Sequence, residues 1–155
     1  MGKINNILIT GGAGYIGSHI VEKLVKTNAN VFILDNLITG YKKLINKKAF
    51  FIKGDIGDFA KVKKIIIKNN INNIIHLAAH LNISEAEKYK KKYNLNNIKG
   101  TLKLIKACKN SNVRNIIFSS SCAVYGNING SVNEKKKPSP QGFYAYTKYK
   151  GEQII

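Results

Sequence analysis

A chain of 155 residues, 44% of them hydrophobic, is long enough to bury its own core and short enough to be one domain. No apolar run is long enough to cross a membrane, so we expect no membrane partner. Its two cysteines are too few for a disulfide framework, and three histidines without ligand spacing predict no metal site. We expect a protein of the reducing cytoplasm.

The formal net charge of +18 comes almost entirely from lysine, because Arg114 is the only arginine. Such a charge has two explanations: a lysine-rich coat of solvated side chains, or a surface that binds nucleic acid. The lysines are scattered along the chain, and arginine is the better ligand for phosphate and guanine. We therefore expect a solvated coat and no nucleic-acid partner.

Short apolar runs alternate with segments of helical periodicity. The apolar runs predict strands at residues 4–10, 30–35, 49–54, 72–78 and 115–121. Helical spacing predicts helices at 14–28, 58–69, 84–111 and 142–155. This alternation predicts an α/β fold, a doubly wound parallel sheet of the Rossmann type with strand order 3-2-1-4-5.

Three glycines, Gly11, Gly14 and Gly17, lie between the first predicted strand and the first predicted helix. Glycine lets the backbone turn tightly and approach a pyrophosphate, which the amide groups of the helix N-terminus then bind. A tight turn without a ligand is the alternative. Asp35 ends the second predicted strand 18 residues after Gly17 (35 − 17), where a carboxylate can accept from the ribose of a dinucleotide. Its charge would repel a 2′-phosphate, so NAD is favoured over NADP.

Three further stretches follow the predicted ends of strands, where a doubly wound sheet binds its ligand. Asp55 and Ile56 follow the third strand and could flank an adenine, although Asp55 could also cap the helix at 58–69. The small residues Ala78 and Ala79 close the fourth strand and leave room for a cofactor. A cluster of serines that ends at Ser121 closes the fifth strand.

Tyr144 and Lys148 are one helical turn apart in the last predicted helix. A free phenol is a poor base at neutral pH, since its pKa is about 10. A neighbouring ammonium and a cationic nicotinamide would lower the pKa of Tyr144, which could then take a proton from a substrate hydroxyl. Ser121 could bind the same oxygen. Chance could also place these residues in a lysine-rich helix, but the glycine turn and the serine cluster favour the catalytic interpretation.

The stretches "TGGAGYIGSH", "HLAAH", "NNIKGT", "FSSSCAVYG" and "FYAYTKYKGEQI" together resemble, in order and spacing, the extended short-chain dehydrogenase/reductases. Within that superfamily the NAD-dependent UDP-glucose 4-epimerases are the most similar. The resemblance implies that Ser121, Tyr144 and Lys148 are catalytic. It also implies NAD contacts at Tyr15, Ile16, Asp35, Asn36, Asp55, Ile56, Leu77, Ala78, Ala79 and Asn96, in addition to the three glycines, Tyr144 and Lys148.

The resemblance implies a reaction as well. Tyr144 would take the proton of the sugar 4-hydroxyl while hydride passes to NAD, and the 4-keto sugar would turn over before hydride returns. A UDP-sugar would be the substrate and a homodimer the assembly. The chain departs from the family pattern at Phe143, where many relatives have proline, and at Leu81, where many have lysine.

Members of the family are considerably longer and continue into a smaller substrate-binding domain. We therefore expect residues 1–155 to be an incomplete NAD-binding Rossmann domain, the N-terminal part of an enzyme, with little activity alone. Two other functions stay open: another NAD-dependent nucleotide-sugar epimerase or dehydratase, and a non-catalytic NAD-binding protein.

Overall fold

The computed structural model describes residues 5–155, in which five strands form one parallel sheet in the order β3-β2-β1-β4-β5. The predicted fold class and strand order are confirmed. Four of the strands are shorter than their apolar runs, whereas β2 matches the run at 30–35. Ile4, the first residue of the first run, lies outside the described residues. The strands are β1 (Asn6–Thr10), β2 (Asn30–Asp35), β3 (Phe50–Lys53), β4 (Asn73–His76) and β5 (Asn115–Phe118).

Helices connect the strands and cover both faces of the sheet. They are α1 (Tyr15–Leu24), α2 (Phe59–Lys68), α3 (Ile83–Lys88), α4 (Lys90–Tyr93), α5 (Thr101–Cys108) and α6 (Phe143–Ile154). Short 3₁₀ turns occupy Lys42–Leu44 and Cys122–Tyr125. No helix within residues 5–155 is long and apolar enough to cross a membrane.

The single helix predicted over residues 84–111 is wrong. The backbone of Tyr89 leaves the helical region (φ −121°, ψ 51°), which separates α3 from α4. A π-helical segment, Asn94–Gly100, then joins α4 to α5. Such wide turns are rare and are often found at functional sites.

The two faces of the sheet bury two separate cores. Alternate side chains of each strand point to opposite faces, so the continuous apolar runs fill both. On one face Leu8 and Ile74 pack against Val62 of α2 and Leu104 of α5. On the other face β1 and β2 pack against Val21 of α1.

A third, smaller core lies where α3, α4 and α6 meet. Ala86, Tyr93 and Tyr144 are its buried members, and Phe143 packs against them. This contact seats the first turn of α6 on α3 and α4. The position of Tyr144 therefore depends on helices that are distant from it in sequence.

A buried hydrogen-bond chain joins β1, β4 and α5 through His76. The Thr101 hydroxyl donates to the Asn97 carbonyl at 2.7 Å, so its oxygen can only accept from His76 Nε2–H at 2.9 Å. The Thr10 hydroxyl, 2.7 Å from Nδ1, must then donate. His76 is thus held as the neutral Nε2–H tautomer.

Burial, with the positive charge of Lys148, lowers the pKa of His76 from 6.5 to about 3. An unfolded histidine binds its proton near pH 6.5. Between those two values the unfolded state binds more protons than the folded state. The contribution of neutral His76 to the free energy of unfolding is therefore fully present above pH 6.5 and is lost as the pH falls towards 3.

We expect the free energy of unfolding to fall by about 3 kcal/mol between pH 6.5 and pH 4 because of His76 alone. The variant His76→Asn should be less stable at pH 7 but should lose much of this acid dependence. Urea denaturation at each pH measures both effects. The exposed His19 is the control, since His19→Asn should keep the wild-type slope; an unchanged slope in His76→Asn would contradict the prediction.

Candidate active site

A cleft of about 400 Å³ lies at the carboxyl ends of the strands. Its walls come from the glycine turn after β1, the ends of β2 and β4, the π-helical segment and α6. It brings together fourteen of the residues singled out in the sequence: Gly11, Gly14, Tyr15, Ile16, Gly17, Asp35, Asn36, Ile56, Leu77, Ala78, Ala79, Asn96, Tyr144 and Lys148.

The glycine turn is so tight that side chains are excluded from two of its positions. Gly11 has φ +73°, and a Cβ there would lie 2.8 Å from the Ala78 amide nitrogen. A Cβ on Gly17 would lie 2.2 Å from the Gly11 carbonyl oxygen, far inside van der Waals contact. Glycine at these positions lets α1 begin directly against the end of β1 and lets β4 approach the turn.

The N-terminus of α1 opens onto this turn without a protein cap. Its first turn contains no acidic residue, and within residues 5–155 no side chain accepts a hydrogen bond from it. The first amide groups of an α-helix have no partner within the helix and carry its positive dipole end. The amides at Tyr15 and Ile16 are therefore suited to an anionic group in the cleft.

Asp35 lies at the end of β2 with its carboxylate buried and oriented. Oδ2 accepts from the Ala13 amide at 3.0 Å, and Oδ1 accepts from the Leu37 amide at 2.8 Å. The side chain is 8% exposed. Each carboxylate oxygen has a second lone pair, so the group can still accept a hydrogen bond from a hydroxyl in the cleft.

The loop after β2 folds back over the cleft and adds two residues that the sequence did not indicate, Ile38 and Thr39. Leu37 adopts φ +62°, which is unusual for a residue with a side chain. The Tyr41 amide donates to the Ala13 carbonyl at 2.9 Å and closes the loop onto the glycine turn. Positive φ at a leucine has no sequence signal, so this closure could not be foreseen.

Asp55 lies beside the cleft and does not line it. Its Oδ2 accepts from the Asn36 side chain at 2.8 Å, and its Oδ1 accepts from the Gly57 amide at 2.7 Å. Asp58, not Asp55, caps α2 through the Lys61 amide. Asp55 thus orients Asn36, which does line the cleft.

Asn96 lines the cleft from the π-helical segment, and its neighbour Asn97 holds the segment in place. Asn97 is 3% exposed. It accepts from the His80 amide at 2.8 Å and donates to the His80 carbonyl at 3.0 Å and to Thr147 at 3.2 Å. One side chain therefore ties the loop after β4 to α6. The sequence pattern marked Asn96 and missed Asn97.

Lys148 reaches the end of β5 from α6 and is buried, with 3% of its surface exposed. Its ammonium donates to the Ser119 carbonyl and lies 4.4 Å from the centre of the Phe118 ring. Burial lowers the pKa of Lys148 from 10.5 to about 8, and Glu152 acts against the shift. The Lys148 nitrogen thus lies at the floor of the cleft, and it loses its proton at a lower pH than an ordinary lysine does.

Tyr144 lines the same cleft and is also buried, and in the chain without a ligand its pKa is raised. Burial raises the pKa of its phenol, while a hydrogen bond with Ser121 lowers it. The Lys148 ammonium is directed to the Ser119 carbonyl. In the chain without a ligand, Lys148 does not lower the pKa of Tyr144. The lowering expected from Lys148 together with a nicotinamide stays a prediction.

Ser121 lies at the edge of the site rather than in the wall of the cleft. Its hydroxyl oxygen accepts from the Ala123 amide at 3.2 Å and caps the 3₁₀ turn that follows β5. The cleft wall is formed instead by two earlier serines of the cluster. The wall residues that the sequence did not assign to the site, besides Ile38 and Thr39, are Leu34, Gly54, His80, Leu81, Ser119 and Ser120.

Among residues 5–155 the side chains form no group of three or more His, Cys, Asp or Glu that could hold a metal ion. His76 is occupied on both nitrogens by threonine hydroxyls. The cleft wall carries the Tyr144 phenol, the Lys148 amine, the Asp35 carboxylate, the His80 imidazole and serine and threonine hydroxyls.

Comparison with known proteins gives one consistent result. The family model described as "NAD dependent epimerase/dehydratase family" matches residues 7–155. A UDP-glucose 4-epimerase of Lactobacillus helveticus is 40% identical over 150 residues, which cover 96% of this chain and 46% of the relative. The chain thus spans about half the length of the curated relatives it matches.

Two solved structures have the same fold over nearly the whole chain. A Brucella ovis UDP-glucose 4-epimerase in complex with NAD has a TM-score of 0.93 and 36% identity over 97% of this chain and 46% of its own. A UDP-N-acetylglucosamine 4-epimerase of Methanobrevibacter ruminantium has a TM-score of 0.88 and 39% identity over 98% and 49%. The chain belongs to the NAD dependent epimerase/dehydratase family.

Proposed function

We propose that the chain binds NAD in the cleft and forms the NAD-binding part of a UDP-glucose 4-epimerase. The glycine turn supports this assignment, since side chains are excluded where a pyrophosphate would approach the backbone. The uncapped start of α1 would bind that pyrophosphate through its amides. Asp35 would accept from the adenosine ribose, and Asp55 would orient Asn36 beside it.

The observation that carries the proposal is the meeting of Tyr144 and Lys148 with the glycine turn in one cleft. When bound, NAD would supply the acceptor and donor of hydride. Tyr144 would take the proton of the sugar 4-hydroxyl and later return it, and Ser121 would hydrogen-bond the same region.

Lys148 would act through its charge. Its ammonium lies buried at the cleft floor and its nearest acceptor is a backbone carbonyl. A positive charge in a site that excludes water stabilises a neighbouring phenolate more strongly than it would in water. We propose that bound NAD excludes water from this floor, so that Lys148 then opposes the effect of burial on Tyr144.

The remaining parts of the assignment concern what lies around the cleft. We propose that a UDP-sugar is the substrate, that residues corresponding to the other half of the relatives bind it, and that the enzyme is a cytoplasmic homodimer. A second substrate has support of its own, since a UDP-N-acetylglucosamine 4-epimerase shares 39% identity. Both UDP-galactose and UDP-N-acetylgalactosamine therefore belong in the assay.

We expect NAD to bind more tightly than NADP because the buried Asp35 carboxylate repels a 2′-phosphate. Asp35→Asn should lower the ratio of the NADP dissociation constant to the NAD dissociation constant by at least about tenfold, or 1.4 kcal/mol. Isothermal titration calorimetry of NAD and NADP into the wild type and into Asp35→Asn measures this ratio. Asp58→Asn, which alters a helix cap away from the cleft, is the matched control. Equal affinity of the wild type for both cofactors would refute the role of Asp35.

We expect Lys148→Met to raise the free energy of unfolding at pH 7 by about 1 to 3 kcal/mol, because it removes a buried charge, and to impair function. In the wild type, the folded state releases the Lys148 proton near pH 8, whereas an unfolded lysine keeps it to about pH 10.5. The free energy of unfolding of the wild type should therefore rise between those two pH values because of Lys148. This rise should be absent from Lys148→Met.

Urea denaturation from pH 7 to pH 10 tests this expectation. The exposed Lys64 of α2 provides the control, since Lys64→Met should change stability little and should leave the pH dependence as it is. A Lys148→Met protein that is less stable than the wild type at pH 7 would show that the buried ammonium is a net stabilising group.

We expect the 155-residue chain to bind NAD weakly and to turn over UDP-galactose little or not at all. Any turnover should fall at least about 100-fold in Tyr144→Phe, which keeps the ring and removes the proton-transfer group. A coupled assay for UDP-glucose measures both. Full activity of the short chain would refute the need for a second domain, and turnover that survives Tyr144→Phe would refute the role of the phenol.

A further inference from the structure

The first turn of α6, which carries Tyr144, has no cap of its own. The residue before it, Gly142, has no side chain to accept a hydrogen bond, and the turn contains no acidic residue. Exposed amides at a helix start favour an acceptor and a negative charge. The helix that carries two proposed catalytic residues therefore requires a hydrogen-bond acceptor at its N-terminus that its own first turn does not supply.

Glu87 meets this requirement from α3, 56 residues earlier in the chain. Its Oε1 accepts a hydrogen bond from the Phe143 amide, the first amide of α6. Its Oε2 lies 3.6 Å from the Lys90 ammonium, which lies 5.9 Å from the centre of the Phe143 ring. The carboxylate is thus oriented by a cation while it caps the helix.

The surrounding backbone is shaped to admit this carboxylate. Gly142 has φ +82°, and a Cβ on it would lie only 3.0 Å from Glu87 Oε1. Ala86, the neighbour of Glu87, packs in the same buried cluster as Tyr144. Two consecutive residues of α3 therefore fix α6. Ala86 packs with the Tyr144 ring, and Glu87 accepts a hydrogen bond from the amide of the preceding residue, Phe143.

We infer that Glu87 is a positioning residue for Tyr144, acting as the N-cap of α6 across the fold. Glu87 does not line the cleft, and its link to Tyr144 runs through the Phe143 amide. The inference rests on the proposed function, because Tyr144 needs a fixed position only if it exchanges a proton with a substrate. Loss of the cap loosens the first turn of α6 and admits water to the phenol.

A double-mutant cycle isolates the amide bond. Glu87→Ala removes the cap, whereas Glu87→Gln keeps an acceptor oxygen and should preserve most of its effect. Phe143→Pro removes the amide itself, and proline is favoured at the first position of a helix. In the Phe143→Pro background, Glu87→Ala should have no further effect. Glu22→Ala, which alters an exposed glutamate of α1, is the control.

Two NMR measurements on the 155-residue chain read the result. Hydrogen exchange of the Tyr146 amide, which bonds to the Gly142 carbonyl, reports closure of the first turn. We expect it to accelerate about fivefold in Glu87→Ala while the amides of β1 stay protected. The ¹³Cζ titration of Tyr144 reports water at the phenol, and its midpoint should move down towards the ordinary tyrosine value.

The outcomes separate the two proposals. Unchanged Tyr146 exchange and an unchanged Tyr144 titration in Glu87→Ala would overturn the inference, as would an equal effect of Glu87→Ala in the Phe143→Pro background. Faster Tyr146 exchange without a change in the Tyr144 titration would reduce Glu87 to a helix cap and likewise overturn it. Failure of the wild type to bind NAD in a parallel titration would count against the proposed function and not against this coupling.

Discussion

The hydrogen bond from the Lys148 ammonium to the Ser119 carbonyl fixes where α6 meets β5 in the candidate site. It joins α6 to the end of β5, and the Phe118 ring beneath the ammonium packs in turn against Gly151 of α6. A Cβ on Gly151 would lie 2.5 Å from that ring, so the helix can approach the strand only because this residue is glycine. Tyr144 reaches the cleft because α6 lies so close to β5.

The parts of this arrangement that could be predicted are those that follow from local chain geometry. The glycine turn and the residues at the ends of β2 and β4 lie at fixed distances along the chain from predicted strands. Parallel strands then bring their carboxyl ends to one edge of the sheet. The strand order 3-2-1-4-5 is therefore enough to place Asp35 and Ala78 in the cleft.

The parts that could not be predicted depend on contacts between residues distant in sequence. The amide of Asn97 binds both backbone groups of His80, and Glu87 caps a helix 56 residues away, yet neither has a periodic signal. The raised pKa of Tyr144 in the chain without a ligand could not be predicted for the same reason. A pairing of phenol and amine is visible in the spacing, but burial of the phenol depends on Ala86 and Tyr93 from other helices.

The carboxylate of Asp35 has a thermodynamic consequence for any ligand that it binds. Two backbone amides already restrain its rotation, one on each oxygen. Most of the side-chain entropy is therefore lost when the protein folds, and little remains to be lost when a hydroxyl arrives. The glycine turn and the loop after β2, which donate those amides, would thus contribute to the affinity for such a ligand without touching it at that point.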